Sequence, residues 1–167
     1  MTAFNTTGGI HEVPVDAAPG RLWLCGKHVI APAPSSLLAM LPADTVVCLT
    51  QRHELEHRYP DYVAWLDAAG PERAVWFPVH DLGAPDVERA VPFLDDLVAR
   101  LRAGDRLIVH CAAGIGRAGT TAVALLVVLG MPVDDALRHV RAHRPMAGPE
   151  AGSQLQFVRA VAALRAG

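Results

Sequence analysis

Four short runs rich in apolar and β-branched residues recur along the chain and predict β-strands at residues 21–25, 45–49, 74–79 and 107–110. Apolar positions at helical spacing lie between and after them. They predict helices at residues 34–41, 62–69, 87–101, 116–129, 133–143 and 153–164. Strands that alternate with helices are typical of a parallel sheet covered on both faces. We therefore predict an α/β fold with a mainly parallel central sheet flanked by helices.

Composition and length narrow the class of protein. The chain has 167 residues, 51% hydrophobic and 19% charged, which suits one globular domain. Residues 1–20 show neither helical nor alternating periodicity, so we predict a loosely ordered lead-in and a single domain over 21–167. The net charge of -2 gives no electrostatic basis for a nucleic-acid or membrane partner. Three cysteines and the lack of a signal-peptide or membrane-length run indicate a cytoplasmic protein.

The segment after the last predicted strand carries the strongest chemical signal. Cys111 ends that strand, and residues 112–116 are small or apolar before Arg117 opens an apolar helix. A tight loop between a strand and a helix turns its N–H groups inward, and the helix dipole adds positive potential, so it favours a phosphate and a thiolate. The fork of Arg117 can hold two phosphate oxygens. We predict phosphoryl transfer to Cys111. The phosphate loop comprises His110, Cys111, Ala112, Ala113, Gly114, Ile115, Gly116 and Arg117.

Two other patterns in this half of the chain have less favoured interpretations. Gly114, Gly116 and Gly119 match the dinucleotide-binding fingerprint, but that fold requires a further strand after the helix. Here a second helix is predicted instead. His139 and His143 have the spacing of a metal-binding pair, but no third ligand lies nearby in the sequence. We expect no metal.

Attack by a thiolate on a phosphate ester requires a proton donor for the leaving oxygen. Residues 77–86 follow a predicted strand, contain glycine and proline, and supply His80, Asp81 and Asp86. Asp86 stands where it would cap the helix predicted from residue 87. Asp81 has no such role and follows a strand toward the carboxyl edge of the sheet. We predict that Asp81 is the general acid, with Asp86 as the next candidate.

On these motifs the chain resembles the compact dual-specificity type of the cysteine-dependent protein tyrosine phosphatase superfamily. The resemblance covers most of residues 21–165 and rests on five features of the sequence. These are the phosphate loop, Asp81 in its proline-flanked segment, residues 47–50 followed by Glu54-Leu55, the pair Arg144-Pro145, and Gln154 with Phe157 three positions on.

The resemblance implies a role for each matching residue. Cys111 is the nucleophile, Arg117 binds phosphate, and Asp81 acts first as acid and then as base. Gln154 helps to place the hydrolytic water, and no cofactor is implied. The expected substrate is a phosphoprotein or phosphopeptide carrying phosphotyrosine, with phosphoserine or phosphothreonine as further substrates. The uncharged Ala112, Ala113 and Ile115 disfavour polyanionic lipids.

One position departs from the family pattern. Ala118 stands where the family usually has a serine or threonine that stabilises the departing thiolate, and Thr120 and Thr121 follow it. Hydrolysis of the phosphocysteine is therefore expected to be slow. The alternative is a weakly active or inactive phosphate-binding interaction module, a pseudophosphatase.

Cys48 is the predicted redox partner of Cys111. It lies in the run 45–49, and adjacent strands are about 5 Å apart, within the range that a disulfide accepts if the side chains face each other. Peroxide would then produce a reversible disulfide. Cys25 is a less favoured partner, and the alternative is that Cys48 is only a core residue.

Overall fold

A computed structural model describes residues 9–166. The strands in this part of the chain are β1 (His11–Glu12), β2 (Arg21–Gly26), β3 (Thr45–Cys48), β4 (Ala74–Trp76) and β5 (Arg106–Cys111). The helices are α1 (Lys27–Ile30), α2 (Pro34–Met40), α3 (Pro60–Ala68), α4 (Val87–Arg102), α5 (Gly116–Val128), α6 (Val133–His143) and α7 (Gly152–Ala166), with a 3-10 turn at Arg52–Glu54.

The strands form one sheet in the order β1-β2-β5-β3-β4. β1 is antiparallel to β2, and the remaining pairs are parallel. β5 is central, with Gly26 of β2 opposite Cys111 and Cys48 of β3 opposite His110. The carboxyl ends of these three strands therefore share one edge of the sheet. The predicted mainly parallel α/β fold is confirmed.

The two faces of the sheet bury separate apolar clusters. On one face, Leu107, Val109 and Cys111 of β5 pack with α4, α5, α6 and α7. On the other, Ile108 packs with Cys25, Cys48 and the helices α2 and α3. Successive residues of a strand point to opposite faces, so neighbouring β5 residues belong to different clusters.

α5 is the central helix, and residues 116–127 are all buried. A side chain at Gly119 would collide with the backbone of Gly148, so glycine lets the segment after α6 cross α5 closely. This crossing brings the start of α7 beside the amino terminus of α5, next to the phosphate loop.

The lead-in differs from its prediction. β1 pairs with β2, Val13 is fully buried, and the Val13 N–H donates to Leu22 O at 2.8 Å. The expectation of loose order is therefore wrong for residues 10–13, because pairing with a distant strand supplies order that local periodicity does not show. Residues 1–8 of the predicted lead-in lie outside the described residues. Among residues 9–166, no helix is long and apolar enough to cross a membrane.

Candidate active site

The phosphate loop begins at the end of β5 and leads directly into α5. Cys111 is 3% exposed, and the Gly114 N–H donates a hydrogen bond to its Sγ at 3.2 Å. Gly114 has a φ of 76°, and a side chain there would collide with the backbone of Cys25. Only glycine permits this turn, which aims a backbone donor at the sulfur.

The carbonyl groups of the loop point outward, away from Cys111 Sγ. Four successive oxygens, at residues 112–115, accept hydrogen bonds from outside the loop. The donors are the Lys27 N–H to Ala112 O at 3.0 Å, Arg144 Nη2 to Ala113 O at 3.0 Å, Arg144 Nε to Gly114 O at 2.8 Å, and the Gly148 N–H to Ile115 O at 3.0 Å. With its carbonyls bound outside, the loop can present N–H groups to an anion inside.

Arg144 is the main support of the loop from behind. Its side chain is buried and also donates to Gly9 O at 2.7 Å, while Nη1 lies 2.7 Å from His11 Nδ1. The segment before β1 is thereby joined to the phosphate loop. The sequence motif included Arg144, but its partners lie 30 or more positions away and cannot be read from spacing.

Arg117 occupies the first turn of α5, with its side chain 2% exposed. Nη1 and Nη2 each donate to a carboxylate oxygen of Glu54 at 2.8 Å, and Nη1 also donates to Val79 O at 2.8 Å. These bonds use three of the five N–H donors of the guanidinium. Among residues 9–166, the Nε–H and the second Nη2–H, along one edge of the plane, donate no hydrogen bond and are left for a phosphate.

Glu54 fixes this orientation. It ends the 3-10 turn, and its carboxylate accepts from the Gln51 N–H at 2.8 Å in a capping box. Burial alone would raise the pKa of Glu54, but the hydrogen bonds from Arg117 and Gln51 outweigh it, so the pKa lies below its ordinary value. Glu54 belongs to one of the sequence motifs, but its place there predicts no role. The three-residue spacing from Gln51 was the available signal.

Asp81 lies on the loop after β4, at the rim of the site. Its Oδ1 is 3.5 Å from Arg117 Nη2, and its side chain is 66% exposed. The structure thus brings the predicted acid beside the predicted phosphate-binding arginine. Asp86 is at the N-cap position of α4, as expected, although its side chain makes no capping hydrogen bond.

His110 is fully buried behind the loop. Its Nδ1 lies 3.1 Å from Cys111 O, and its Nε2 lies 2.7 Å from the Tyr62 hydroxyl. Burial lowers the pKa of His110 to about 4, so the ring is neutral at pH 7. A carbonyl can only accept, which assigns the proton to Nδ1 and makes Tyr62 the donor to Nε2. Tyr62 lies 48 positions from His110, so no local pattern predicts this contact.

Gln154 and Glu150 approach from the start of α7. Gln154 is fully buried; its Nε2 donates to Gly83 O at 3.2 Å, and its Oε1 accepts from the Glu150 N–H at 2.7 Å. These contacts join α7 to the loop that carries Asp81 rather than to the sulfur. The Glu150 carboxylate stands against Gly116, where a side chain would collide with it. No local pattern identifies Glu150, because only the crossing of α5 brings it there.

Ala118 is fully buried in the apolar cluster of α5. Thr120 does not visibly replace the missing hydroxyl: its Oγ1 is buried and has no hydrogen-bond partner in the described part of the chain. Thr120 therefore does not supply to Cys111 the hydroxyl that Ala118 lacks.

The prediction of a Cys48–Cys111 disulfide fails on geometry. Cys48 pairs with His110 in the sheet and belongs to the cluster on the opposite face from Cys111. Its Sγ lies 3.1 Å from Thr50 Oγ1, and burial raises its pKa to about 11. Cys25 shares that opposite cluster, and burial raises its pKa to about 12. We therefore assign both thiols to the core.

The dinucleotide hypothesis is not supported either. Within residues 9–166, only helices follow α5. Each glycine of the apparent fingerprint has a packing reason, against Cys25, Glu150 and Gly148 respectively. His139 and His143 bond backbone oxygens, and residues 9–166 hold no group of three or more side chains suited to a metal.

Comparison with known structures supports the same architecture. Tk-PTP in its active form is 25% identical, with a TM-score of 0.68 over 91% of this chain and 96% of that one. A kinase associated phosphatase with serine at its catalytic-site cysteine has a TM-score of 0.78 at 19% identity, over 95% and 97% of the two chains. The fold is that of the compact dual-specificity type of cysteine phosphatase.

The family model described as Swiss Army Knife protein, DSP-PTPase phosphatase domain (PTP-SAK) matches residues 19–165, and the chain belongs to this family. Human dual specificity protein phosphatase 8 is 36% identical over 86 residues, which are 49% of this chain and 13% of that protein. The chain therefore corresponds to a small part of this longer relative. Membership of the family supports a protein phosphatase.

Proposed function

We propose that the protein hydrolyses phosphotyrosine monoesters, and also those of phosphoserine or phosphothreonine, through a phosphocysteine intermediate on Cys111. The observation that carries the proposal is the polarity of the phosphate loop. Its Gly114 N–H is directed at Cys111 Sγ, while the carbonyls of residues 112–115 are bound from outside. Such a loop stabilises a thiolate before phosphate binds and the phosphoryl group during transfer.

The first step is attack of the Cys111 thiolate on phosphorus. A phosphorus–sulfur bond forms as the bond to the leaving oxygen breaks. The free edge of Arg117, held in place by Glu54, binds two equatorial oxygens. Asp81, whose Oδ1 lies 3.5 Å from Arg117 Nη2, donates its proton to the leaving oxygen.

The second step restores the enzyme. Asp81, now a carboxylate, accepts a proton from the water that attacks the phosphocysteine, and the sulfur departs as a thiolate. Ala118 supplies no hydroxyl to stabilise that thiolate. We therefore expect hydrolysis of the intermediate to limit turnover.

Steady-state phosphate release from phosphotyrosine and phosphoserine peptides tests the proposal. Cys111→Ser should abolish turnover, because a serine hydroxyl stays protonated in this field. Cys48→Ser is the matched control, since it makes the same change in the core beside Thr50, and it should retain activity. Arg117→Lys should lose at least about a hundredfold, because a point charge cannot form the bidentate contact.

Two results would contradict the proposal. Retention of activity by Cys111→Ser would exclude the phosphocysteine mechanism. Binding of the phosphopeptide by the parent chain, with no release of phosphate, would instead support the interaction module.

A further inference from the structure

The loop that carries Asp81 is held from α7 by two side chains. Gln154 Nε2 donates to Gly83 O at 3.2 Å, and Ser153 Oγ donates to Leu82 O at 3.4 Å. These are the two carbonyls that directly follow Asp81 in the chain. The position of Asp81 therefore depends on helix α7.

The Gln154 amide has its orientation fixed at both ends. Oε1 accepts from the Glu150 N–H at 2.7 Å, so the nitrogen must face Gly83 O. Gln154 is 0% exposed and Gly83 is half-buried, so the bond between them is partly shielded from water. These two bonds connect the amide to the 77–86 loop, and the water-placing role that the resemblance implied stays a prediction.

The loop does not favour this conformation by itself. Leu82 has a φ of 62°, a left-handed conformation that is unfavourable for a branched side chain. Leu82 is also 55% exposed, so burial of its side chain does not compensate. Within the loop, a turn from the Gly83 N–H to His80 O at 2.8 Å and a bond from the Leu82 N–H to Asp81 Oδ1 at 3.0 Å hold the bend. Anchors from outside the loop are needed to hold it against α7.

We propose that Gln154 is a positioning residue that holds the 77–86 loop in place, so that Asp81 remains beside Arg117. The inference rests on the proposed function, in which Asp81 is the general acid. Without the amide, the Gly83 carbonyl loses its donor and the strained loop can relax away from α7. Asp81 would then leave the position 3.5 Å from Arg117 Nη2, while the phosphate loop keeps its own supports.

The signature of this role is a loss that depends on the leaving group. Phenyl phosphate needs a proton on its departing oxygen, whereas para-nitrophenyl phosphate needs little help. Gln154→Met should lower kcat/KM, which reports the transfer step even where hydrolysis of the intermediate limits kcat, by at least about tenfold on phenyl phosphate and by less than about twofold on para-nitrophenyl phosphate. Inhibition by inorganic phosphate should be unchanged. Gln156→Met is the matched control, because Gln156 is exposed on the same helix, and it should behave as the parent does.

A double-variant cycle separates positioning from a general structural effect. If Gln154 acts through Asp81, then Asp81→Asn combined with Gln154→Met should be no slower than Asp81→Asn alone. If Gln154→Met proves unfolded by circular dichroism, Gln154→Glu decides the question at a pH where its carboxyl is ionised: the carboxylate still accepts from the Glu150 N–H but cannot donate to Gly83 O. It should show the same leaving-group dependence.

The outcomes distinguish the inference from the function on which it rests. Three results overturn the role of Gln154 while leaving Asp81 as the acid. They are equal losses on both substrates, no loss on either, and additive losses in the double variant. If Asp81→Asn shows no leaving-group dependence, the assignment of the acid and this inference fail together. A selective, non-additive loss supports the inference.

Discussion

His110 should make the stability of the fold depend strongly on pH. Burial lowers the pKa of His110 from 6.5 to about 4. As the pH falls below 6.5, the unfolded chain takes up a proton on this side chain, and the folded chain does not follow until about pH 4. The contribution of His110 to stability is therefore complete above 6.5 and is lost toward 4. Between about pH 7.5 and 5, this linkage lowers the free energy of unfolding by about 2 kcal/mol.

Urea unfolding followed by tryptophan fluorescence, at those two pH values, measures the effect. His110→Gln removes the titrating ring and keeps an amide near Tyr62, so its loss of stability between the two pH values should be about 2 kcal/mol smaller than that of the parent. His53→Gln changes an exposed residue and should lose as much as the parent. Equal losses in the parent and His110→Gln would show that His110 is not held neutral, and would refute the assigned tautomer.

Three further predictions concern the site. Glu54→Gln should lower kcat/KM by about tenfold, because the neutral amide holds Arg117 less firmly, whereas Glu56→Gln should not. Arg144→Met should lower the urea-derived free energy of unfolding by about 2 kcal/mol or more, because it leaves buried carbonyls without donors; an unchanged value would contradict the support described. Ala118→Ser should raise the steady-state rate and reduce the initial burst of product; no burst in the parent would place the slow step elsewhere.

The proximity of Cys111, Arg117 and the loop between them could be predicted because these residues are close together in the chain. A strand, a glycine-containing loop and a helix start give Cys111 and Arg117 their geometry without distant residues. The position of Asp81 could be predicted for a related reason. The loops that follow parallel strands lie at one edge of the sheet. The predicted helices also agree with the observed ones except mainly at their ends, because the periodic pattern that predicts a helix is local.

The orientation of these groups could not be predicted, because it depends on distant contacts. Glu54 reaches Arg117 across 63 positions, and Gln154 reaches Gly83 across 71. The failure of the Cys48 prediction has the same origin. The face on which a strand residue lies relative to a neighbouring strand follows from the register, and only the structure pairs Cys48 with His110 rather than with Cys111.

The central claim is that phosphate passes through Cys111, and trapping the intermediate tests it most directly. The parent chain and Ala118→Ser are mixed with a phosphotyrosine peptide, quenched within milliseconds, and the peptide containing Cys111 is examined by mass spectrometry. We predict one phosphoryl group on Cys111 in the parent, near stoichiometric because Ala118 slows its hydrolysis, and a smaller amount in Ala118→Ser. Phosphate release by the parent with no phosphoryl group on Cys111 at any quench time, or with the group on another residue, would contradict the account.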